Sequence, residues 1–483
     1  MDWRLIATVL VVGADWMFRA LRSVRVVMRR REVSASLAWL AIIFFVPFVG
    51  GFVYLLVGES RLGTRRVARY HRISASFAEQ AVSLWKQRRD WGGGAERFEQ
   101  IARLGTVQTG LPPFGGNRVQ LFGQSGRFIE ALCADIDQAR HHCHVLTYIW
   151  QVGGEPDRVV EALSRAAERG VECRVLVDSY GGNDFLKDRR VEALRRSGAQ
   201  VVEALHANPL RMLLQRIDLR NHRKLAIIDG RVAYAGSQNM TDDGFRVSRR
   251  AHVGPWIDAT ARVEGLAAQA LGLVFLRDWQ LDSGEDLDVA TYLPELERPE
   301  GGAEVQALPS GPGEASSAIR RAALEMIHAA REELILTTPY FVPDEPLKLA
   351  LESAAMRGVE VWVVVPRELD APIVQLASQS HFLDLMRAGV RIFRHSPGLL
   401  HAKTITVDRE FGVIGSANFD TRSFHLNFEV TLLIYDTDVA SELRLLQREY
   451  MSSSEEIDAQ AWGERPVLKR FLENVARLGG PLV

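Results

Sequence analysis

The sequence predicts an α/β protein: two similar units, each a mixed sheet flanked by helices, related by a pseudo-two-fold and preceded by N-terminal transmembrane segments. Three observations predict it. One polar motif occurs twice, with the same residues in the same order and spacing. Around each copy, short β-branched runs alternate with stretches of helical periodicity, the pattern of a sheet covered by helices. Ahead of both copies lies a long uncharged run. The 483 residues suffice for about two to four domains with ample core.

Residues 1–60 read as a membrane anchor. Leu37 to Val57 (LAWLAIIFFVPFVGGFVYLLV) is 21 uncharged residues. At ~1.5 Å per residue it reaches ~31 Å, the thickness of a bilayer core. Pro47 and Gly50-Gly51 kink it, so a re-entrant hairpin is the other geometry it permits. The earlier run Leu5 to Ala14 is shorter and is followed by Asp15 and Arg19. It is a weaker span that inserts together with the second, giving a multi-pass anchor. Most basic residues follow this run and only Arg4 precedes it, which fits a cleaved signal peptide poorly. Arg19, Arg22, Arg25 and Arg29 to Arg31 are spaced along one helix face, suited to anionic headgroups and a cytoplasmic placement. Arg61, Arg65, Arg66, Arg69 and Arg72 lie beyond the long run and nearly balance them, so charge does not fix the topology.

Residues 61–110 form a connector, with a helix beginning near Ser74 and flexibility at Gly92 to Gly94. The first α/β unit is 111–281. Its elements are a helix over Phe128 to Arg140, a strand over Val145 to Trp150, a helix over Val159 to Arg169 stopped by Gly170, and a strand over Glu172 to Val177. His141, His142, Cys143 and His144 are adjacent, so in a strand they point to alternate faces and lack metal-ligand spacing; no metal or cofactor is assigned. Pro209 to Ile217 is amphipathic and serves equally as an interfacial contact or as core packing. The acidic, Pro- and Gly-containing stretch 282–304 links the units. In the second unit, 305–483, ALESAAMRGVEVWVVV (Ala350 to Val365) repeats ALSRAAERGVECRVLV (Ala162 to Val177), and LMRAGVRIF (Leu385 to Phe393) repeats LRRSGAQVV (Leu194 to Val202).

The motif reads HRKLAIIDGRVAYAGSQN from His222 and HAKTITVDREFGVIGSAN from His401. The pairs are His222/His401, Lys224/Lys403, Asp229/Asp408, Gly236/Gly415, Ser237/Ser416 and Asn239/Asn418. Only six lysines occur in the chain and two fall here, so the duplication is not chance. Ile227, Ile228, Ile405 and Val407 make each motif a strand, in which the histidine and the lysine two residues on share a face. Asp229 has the other parity and precedes Gly230, which is turn chemistry; Asp408-Arg409 is a weaker version. The aspartates therefore read as scaffold before catalyst. A return strand, Val232 to Ala235 or Gly412 to Ile414, delivers Gly-Ser-x-Asn. Each copy offers imidazole, ammonium, hydroxyl and amide, which suits a phosphodiester: cations and neutral donors for its oxygens, and a nucleophile for phosphorus. Without a carboxylate cluster for Mg²⁺, the imidazoles supply the acid–base chemistry.

At these residues the chain resembles the phospholipase D superfamily, defined by a duplicated HxKxxxxD. Two N-terminal hydrophobic segments, LPPFGGNRV (Leu111 to Val119), TTPYFVPDE (Thr337 to Glu345) and NFEVTLLIYD (Asn427 to Asp436) resemble the bacterial cardiolipin synthases within it. One departure is Gly236-Ser237, where those enzymes commonly carry Gly-Gly. The resemblance implies two facing halves with both histidines on one phosphate, and a phosphatidyl group passed between two phosphatidylglycerol molecules through a phosphohistidine. His222 would be the nucleophile and His401 the acid/base. Lys224, Lys403, Asn239 and Asn418 would hold the phosphoryl oxygens together with Ser237 and Ser416. Glu429 would orient a motif histidine, with Asp258 its nearest counterpart in the first half. Partners would be the phospholipid and the bacterial inner membrane. A net charge of −1 argues against nucleic acid. The competing readings are a hydrolytic phospholipase D and an inert lipid-binding scaffold, the second disfavoured because a scaffold needs neither histidine.

Overall fold

The computed structural model describes residues 3–29, 33–59, 66–70, 72–73, 77, 96–206, 216, 218–246, 253–296, 301–313, 317–396 and 398–479. The first half supplies β1 (Phe114–Phe122), β2 (His142–Thr147), β3 (Glu172–Asp178), β4 (Gln200–Ala204), β5 (Arg220–Asn221), β6 (Leu225–Ile228), β7 (Val232–Gly236), β8 (Trp256–Ile257) and β9 (Thr260–Glu264). The second supplies β10 (Ala303–Ser310), β11 (Glu333–Thr337), β12 (Phe341–Val342), β13 (Glu360–Pro366), β14 (Arg391–His395), β15 (Leu399–Leu400), β16 (Thr404–Val407), β17 (Phe411–Gly415), β18 (Phe419–Asp420), β19 (Asn427–Tyr435) and β20 (Ser454–Glu456).

The halves run in the same order outward from a shared seam. The first is β1-β9-β7-β6-β2-β3-β4, the second β10-β19-β17-β16-β11-β13-β14-β20, and β1 pairs antiparallel with β10 at Phe114↔Val305 and Asn117↔Ala303. One sheet thus crosses both halves, with the pseudo-two-fold at its centre. β2, β3 and β4 are parallel, as are β11, β13 and β14, and the crossovers carry the repeated helices Asp157–Glu168 and Glu345–Met356. Helix Leu266–Ser283 is apolar on nearly every face, and it is buried accordingly against strands of the first half and β10. His142 and His144 lie on one face of β2, as their spacing requires. His144 stacks on Phe275 of that helix at 4.7 Å, while Cys143 enters the core on the other face.

The long uncharged run is not one crossing helix. Helices α1 (Trp3–Met28), α2 (Val33–Phe45) and α3 (Val49–Val57) are separated, and the run breaks at Val46 to Phe48. Proline is one cause, since Pro47 lacks the amide that would continue the helix. Buried Asp15 is another: it accepts the Phe48 amide at 3.0 Å and pairs with Arg19, whose guanidinium donates to the Phe44 carbonyl at 2.8 Å. Gly50 and Gly51 allow the close return, because a Cβ there would meet the Ile42 carbonyl or the Phe18 ring within 2.3 Å. Among the described residues no helix is long and apolar enough to cross a membrane. The basic face is also engaged internally, Arg25 and Arg29 both pairing with Glu59. Apart from Arg216, the amphipathic stretch Pro209 to Ile217 lies outside the described residues.

Candidate active site

The His-x-Lys segments stand just ahead of β6 and β16, not within them as the β-branched pattern predicts. Their backbone is claimed by the opposite half. β5 pairs in parallel with the start of β19 (Arg220↔Asn427, Asn221↔Phe428), and the His222 amide donates to the Phe428 carbonyl at 2.9 Å. Symmetrically, β15 pairs with β8 (Leu399↔Trp256, Leu400↔Ile257), and the His401 amide donates to Ile257 at 2.7 Å. Glu429 and Asp258 directly follow the paired residues of these partner strands. Each histidine therefore meets the carboxylate of the other half.

His222 Nδ1 donates to Glu429 at 3.0 Å, and His401 Nδ1 donates to Asp258 at 2.7 Å. Neither Nε2 has a protein hydrogen bond among the described residues, and both rings line one cavity of about 1050 Å³. Lys224 and Lys403 lie beneath, each Nζ donating to the carbonyl of its own histidine at 2.6 Å. Asn239 and Asn418 also line the cavity. One polar atom of each amide, Nδ2 of Asn239 and Oδ1 of Asn418, has no protein partner among the described residues.

Burial governs the charges here. It pushes both imidazoles down to about 4 against the pull of their carboxylates, with the neighbouring lysines adding to the effect. It also lowers Lys224 to about 7 and Lys403 to about 8, where the two ammoniums repel each other. Burial works against ionisation at Asp258, but His401, Lys403 and Ser237 hold it at about 2. Glu429 is likewise held below the usual range by His222, Lys224 and Ser416 despite its burial. The site is thus two ionised carboxylates, two imidazoles and two lysines whose charge is costly until an anion arrives.

The two serines expected at the phosphate are placed elsewhere. Ser237 and Ser416 are fully buried and donate to the carboxylates, Ser237 to Asp258 at 2.6 Å and Ser416 to Glu429 at 2.5 Å. They support the histidine partners and do not line the cavity. Asp229 and Asp408, included with the motif as candidate catalytic residues, sit at the far end of β6 and β16. Asp229 accepts the amides of Arg140, His141 and His142 at 2.8 Å each, and Asp408 those of Arg331, Glu332 and Glu333 at 2.7–2.9 Å. Both have positive φ, 52° and 51°, which the short polar side chain tolerates in a turn.

Sequence reasoning missed a buried cation. Arg223 is 0% exposed and donates to Asp278 at 2.6 and 2.7 Å, to the Glu429 carbonyl at 3.0 Å and to Ser310. It fixes the backbone that carries Glu429. Asp278, one of three charged residues in the mostly apolar helix Leu266–Ser283, was the available signal. The walls above the histidines also differ. Beside His222 stand Tyr148, at 5.1 Å ring to ring, and the side chains of Arg220 and Arg422. Beside His401 stand Trp256, at 4.4 Å, and Phe245. At the register of the repeated motif, Arg220 corresponds to Leu399 and Arg422 to Asp243.

The family described as "Cardiolipin synthase, PLD-like domain" matches residues 132–258 and 323–448, and "Phospholipase_D-nuclease N-terminal" matches residues 23–59. The chain is 39% identical over 490 aligned positions to proteins named Cardiolipin synthase A from Yersinia pseudotuberculosis and Yersinia pestis, with 98% of each chain covered. Its fold is similar to that of a phosphatidylserine synthase from Haemophilus influenzae, with a TM-score of 0.59 at 14% identity, covering 80% of this chain and 100% of that one.

Proposed function

The chain belongs to the bacterial cardiolipin synthases of the phospholipase D superfamily, and from that premise we propose how it makes cardiolipin from two phosphatidylglycerol molecules. The observation that carries the proposal is the crossed pairing of each histidine with the other half's carboxylate. Nδ1 of each ring is fixed as the donor, so Nε2 of each is the basic nitrogen turned to a shared phosphate. His222 Nε2 attacks phosphorus while His401, protonated at Nε2, gives that proton to the departing glycerol oxygen. The P–O bond breaks and a P–N bond forms. His401, now neutral, takes the proton from the hydroxyl of a second phosphatidylglycerol; its oxygen attacks phosphorus and releases His222. Lys224, Lys403, Asn239 and Asn418 hold the phosphoryl oxygens, and Arg220 and Arg422 meet the acceptor's own phosphate. The enzyme works at the bacterial inner membrane through its N-terminal helices.

Both imidazoles are neutral in the empty site at pH 7, so the acid proton must be recruited with the substrate. The phosphodiester anion raises the histidine beside it, and binding takes up a proton. The lysines act in the opposite pH range. An ammonium that loses its proton near pH 7 or 8 stops attracting the phosphate, so the lysines' contribution to affinity is full below that range and falls as pH rises through it. KM for phosphatidylglycerol measured from pH 6 to 9 should rise across this window; a flat KM would remove the lysines from phosphate binding. The reaction itself is tested by incubating purified protein with phosphatidylglycerol. Cardiolipin and glycerol in equal amounts are expected, and phosphatidic acid as the main product would make the enzyme a hydrolase.

A further inference from the structure

Helix Val467–Leu478 is amphipathic with its faces reversed. Residues Arg470, Glu473 and Ala476 turn toward the protein; Glu473 is 2% exposed and ion-paired to Arg465 at 2.7 Å. The apolar stripe faces outward: Leu468 is 69% exposed, Phe471 60% and Leu478 70%, with Val467, Leu472 and Val475 beside them. A helix of a soluble surface does the opposite, burying its apolar stripe and solvating its charges. A contiguous outward apolar stripe marks a surface that is covered when the protein works.

We propose that this helix docks on the phospholipid surface and positions the cavity mouth against it. Three observations select a lipid surface as the occupant. The helix packs along helix Pro372–Arg387, and its end lines the active-site cavity through Ala476 and Gly479. Ile373, 73% exposed, continues the apolar surface into the same cavity. A lipid leaving a bilayer under this helix would therefore reach the histidines without crossing water. Exposed Lys469 and Arg477 also flank the stripe, which suits anionic headgroups. A symmetric pairing of two such helices would bring these like charges together.

The inference rests on the reading of the substrate as a phospholipid, so its test has an arm independent of turnover. The variant carrying Leu468→Gln, Leu472→Gln and Val475→Gln changes only exposed side chains and should keep the circular dichroism and melting of the parent. On phosphatidylglycerol vesicles its cardiolipin rate should fall about tenfold or more. On a dispersed short-chain phosphatidylglycerol below its micelle concentration the rate should stay within about twofold. Equal rates on vesicles, or equal losses on both substrates, would overturn the proposal. For the direct arm, the native cysteines Cys133, Cys143 and Cys173 are all buried, so Leu472→Cys can be labelled selectively in the full chain. In phosphatidylglycerol nanodiscs, a lipid-borne nitroxide should quench a fluorophore at 472 and spare one at exposed Met356→Cys. Quenching at 472 by aqueous iodide alone, or energy transfer between 472 labels of two copies, would overturn lipid docking. If the parent protein turned over neither substrate, the reaction would be wrong and the quenching would still decide the docking.

Discussion

The His222 half and the His401 half offer one cavity the same imidazole, lysine and amide, yet differ in what surrounds them. Beneath the cavity the repeat is close: each histidine is held by a carboxylate of the other half, and each carboxylate by the serine of its own. Above it the walls diverge, with Arg220 and Arg422 on one side and Trp256 and Phe245 on the other. The difference separates what a phosphodiester requires from what a particular reaction requires. Exchange at phosphorus needs a nucleophile and an acid of similar build, which a duplicated unit supplies. Joining two lipids adds a second phosphate, which in the proposed reaction meets only the wall of Arg220 and Arg422, where the repeat has been abandoned.

The largest effects should come from the shared chemistry. His222→Ala and His401→Ala should each abolish cardiolipin formation by several orders of magnitude, and the double variant should be hardly worse than either, since the two act as a unit. The comparison sharpens with a substrate whose leaving group needs no proton. His401→Ala should then still accumulate a phosphatidyl-enzyme, detectable by mass, and His222→Ala should not. The reverse pattern would exchange the roles of the halves.

Next come the crossed carboxylates. Glu429→Gln and Asp258→Asn preserve shape but release the Nδ1 proton, and the wrong tautomer should cost about 10²–10⁴ in kcat with little change in KM. If one variant kept its kcat, the corresponding histidine would not need orienting and the symmetry below the cavity would be structural only. At the upper walls a smaller loss is expected. Arg422→Gln should lower cardiolipin formation about tenfold, by removing one charge-assisted contact to the acceptor phosphate. It should leave the exchange of labelled glycerol into phosphatidylglycerol nearly intact, because glycerol carries no phosphate. Asp243→Asn, at the equivalent position of the other half, should change neither rate by more than about twofold. Equal loss of both reactions in the Arg422 variant would put that residue in folding or in donor binding.

Much of this was legible in the sequence because spacing survives without knowledge of packing. The duplicated motif, the repeated helices and the parallel strands all follow from local patterns. The crossing of the carboxylates did not, because it depends on β5, β8 and β15, two-residue strands set by contacts between halves. Ser237 and Ser416 were read toward the cavity because alternation was carried past the ends of β7 and β17, where the chain turns and the hydroxyls find carboxylates. Arg223 was hidden beside the more conspicuous histidine and lysine. At Leu37 to Val57 the kink at Pro47 and Gly50-Gly51 was legible, but the second cause of the break was not: Asp15, more than twenty residues earlier, whose carboxylate binds the Phe48 amide. A count of apolar residues does not register that bond.

The smallest effects should appear at the turns that carry Asp229 and Asp408, where the halves also part. Each carboxylate ties its turn to three amides at the start of the strand beside it, far from the cavity, so Asp→Asn should act on stability before rate. A loss of about 1–3 kcal/mol is expected at each, with kcat per folded molecule within about twofold. Asp408→Asn should cost more, because Asp408 also pairs with Arg97 at 2.7 Å. The following residue tests the backbone itself. Gly230 and Arg409 both adopt positive φ, 60° and 64°. The first half fills this strained position with the residue that tolerates it, and the second with an exposed arginine. Arg409→Gly should therefore stabilise the protein by about 0.5–1 kcal/mol, since αL geometry costs a side-chain-bearing residue about 1–2 kcal/mol and the greater entropy that glycine loses on folding, about 0.5–1 kcal/mol, offsets part of that gain. The converse substitution is expected to fail. A Cβ at Gly230 would lie 2.6 Å from the Tyr292 carbonyl, so Gly230→Ala adds a clash to the strain and should lower the melting temperature. Thermal melts of the two variants would decide the point: if Arg409→Gly melted no higher than the parent, the arginine side chain would be contributing a contact that outweighs the strain of its backbone.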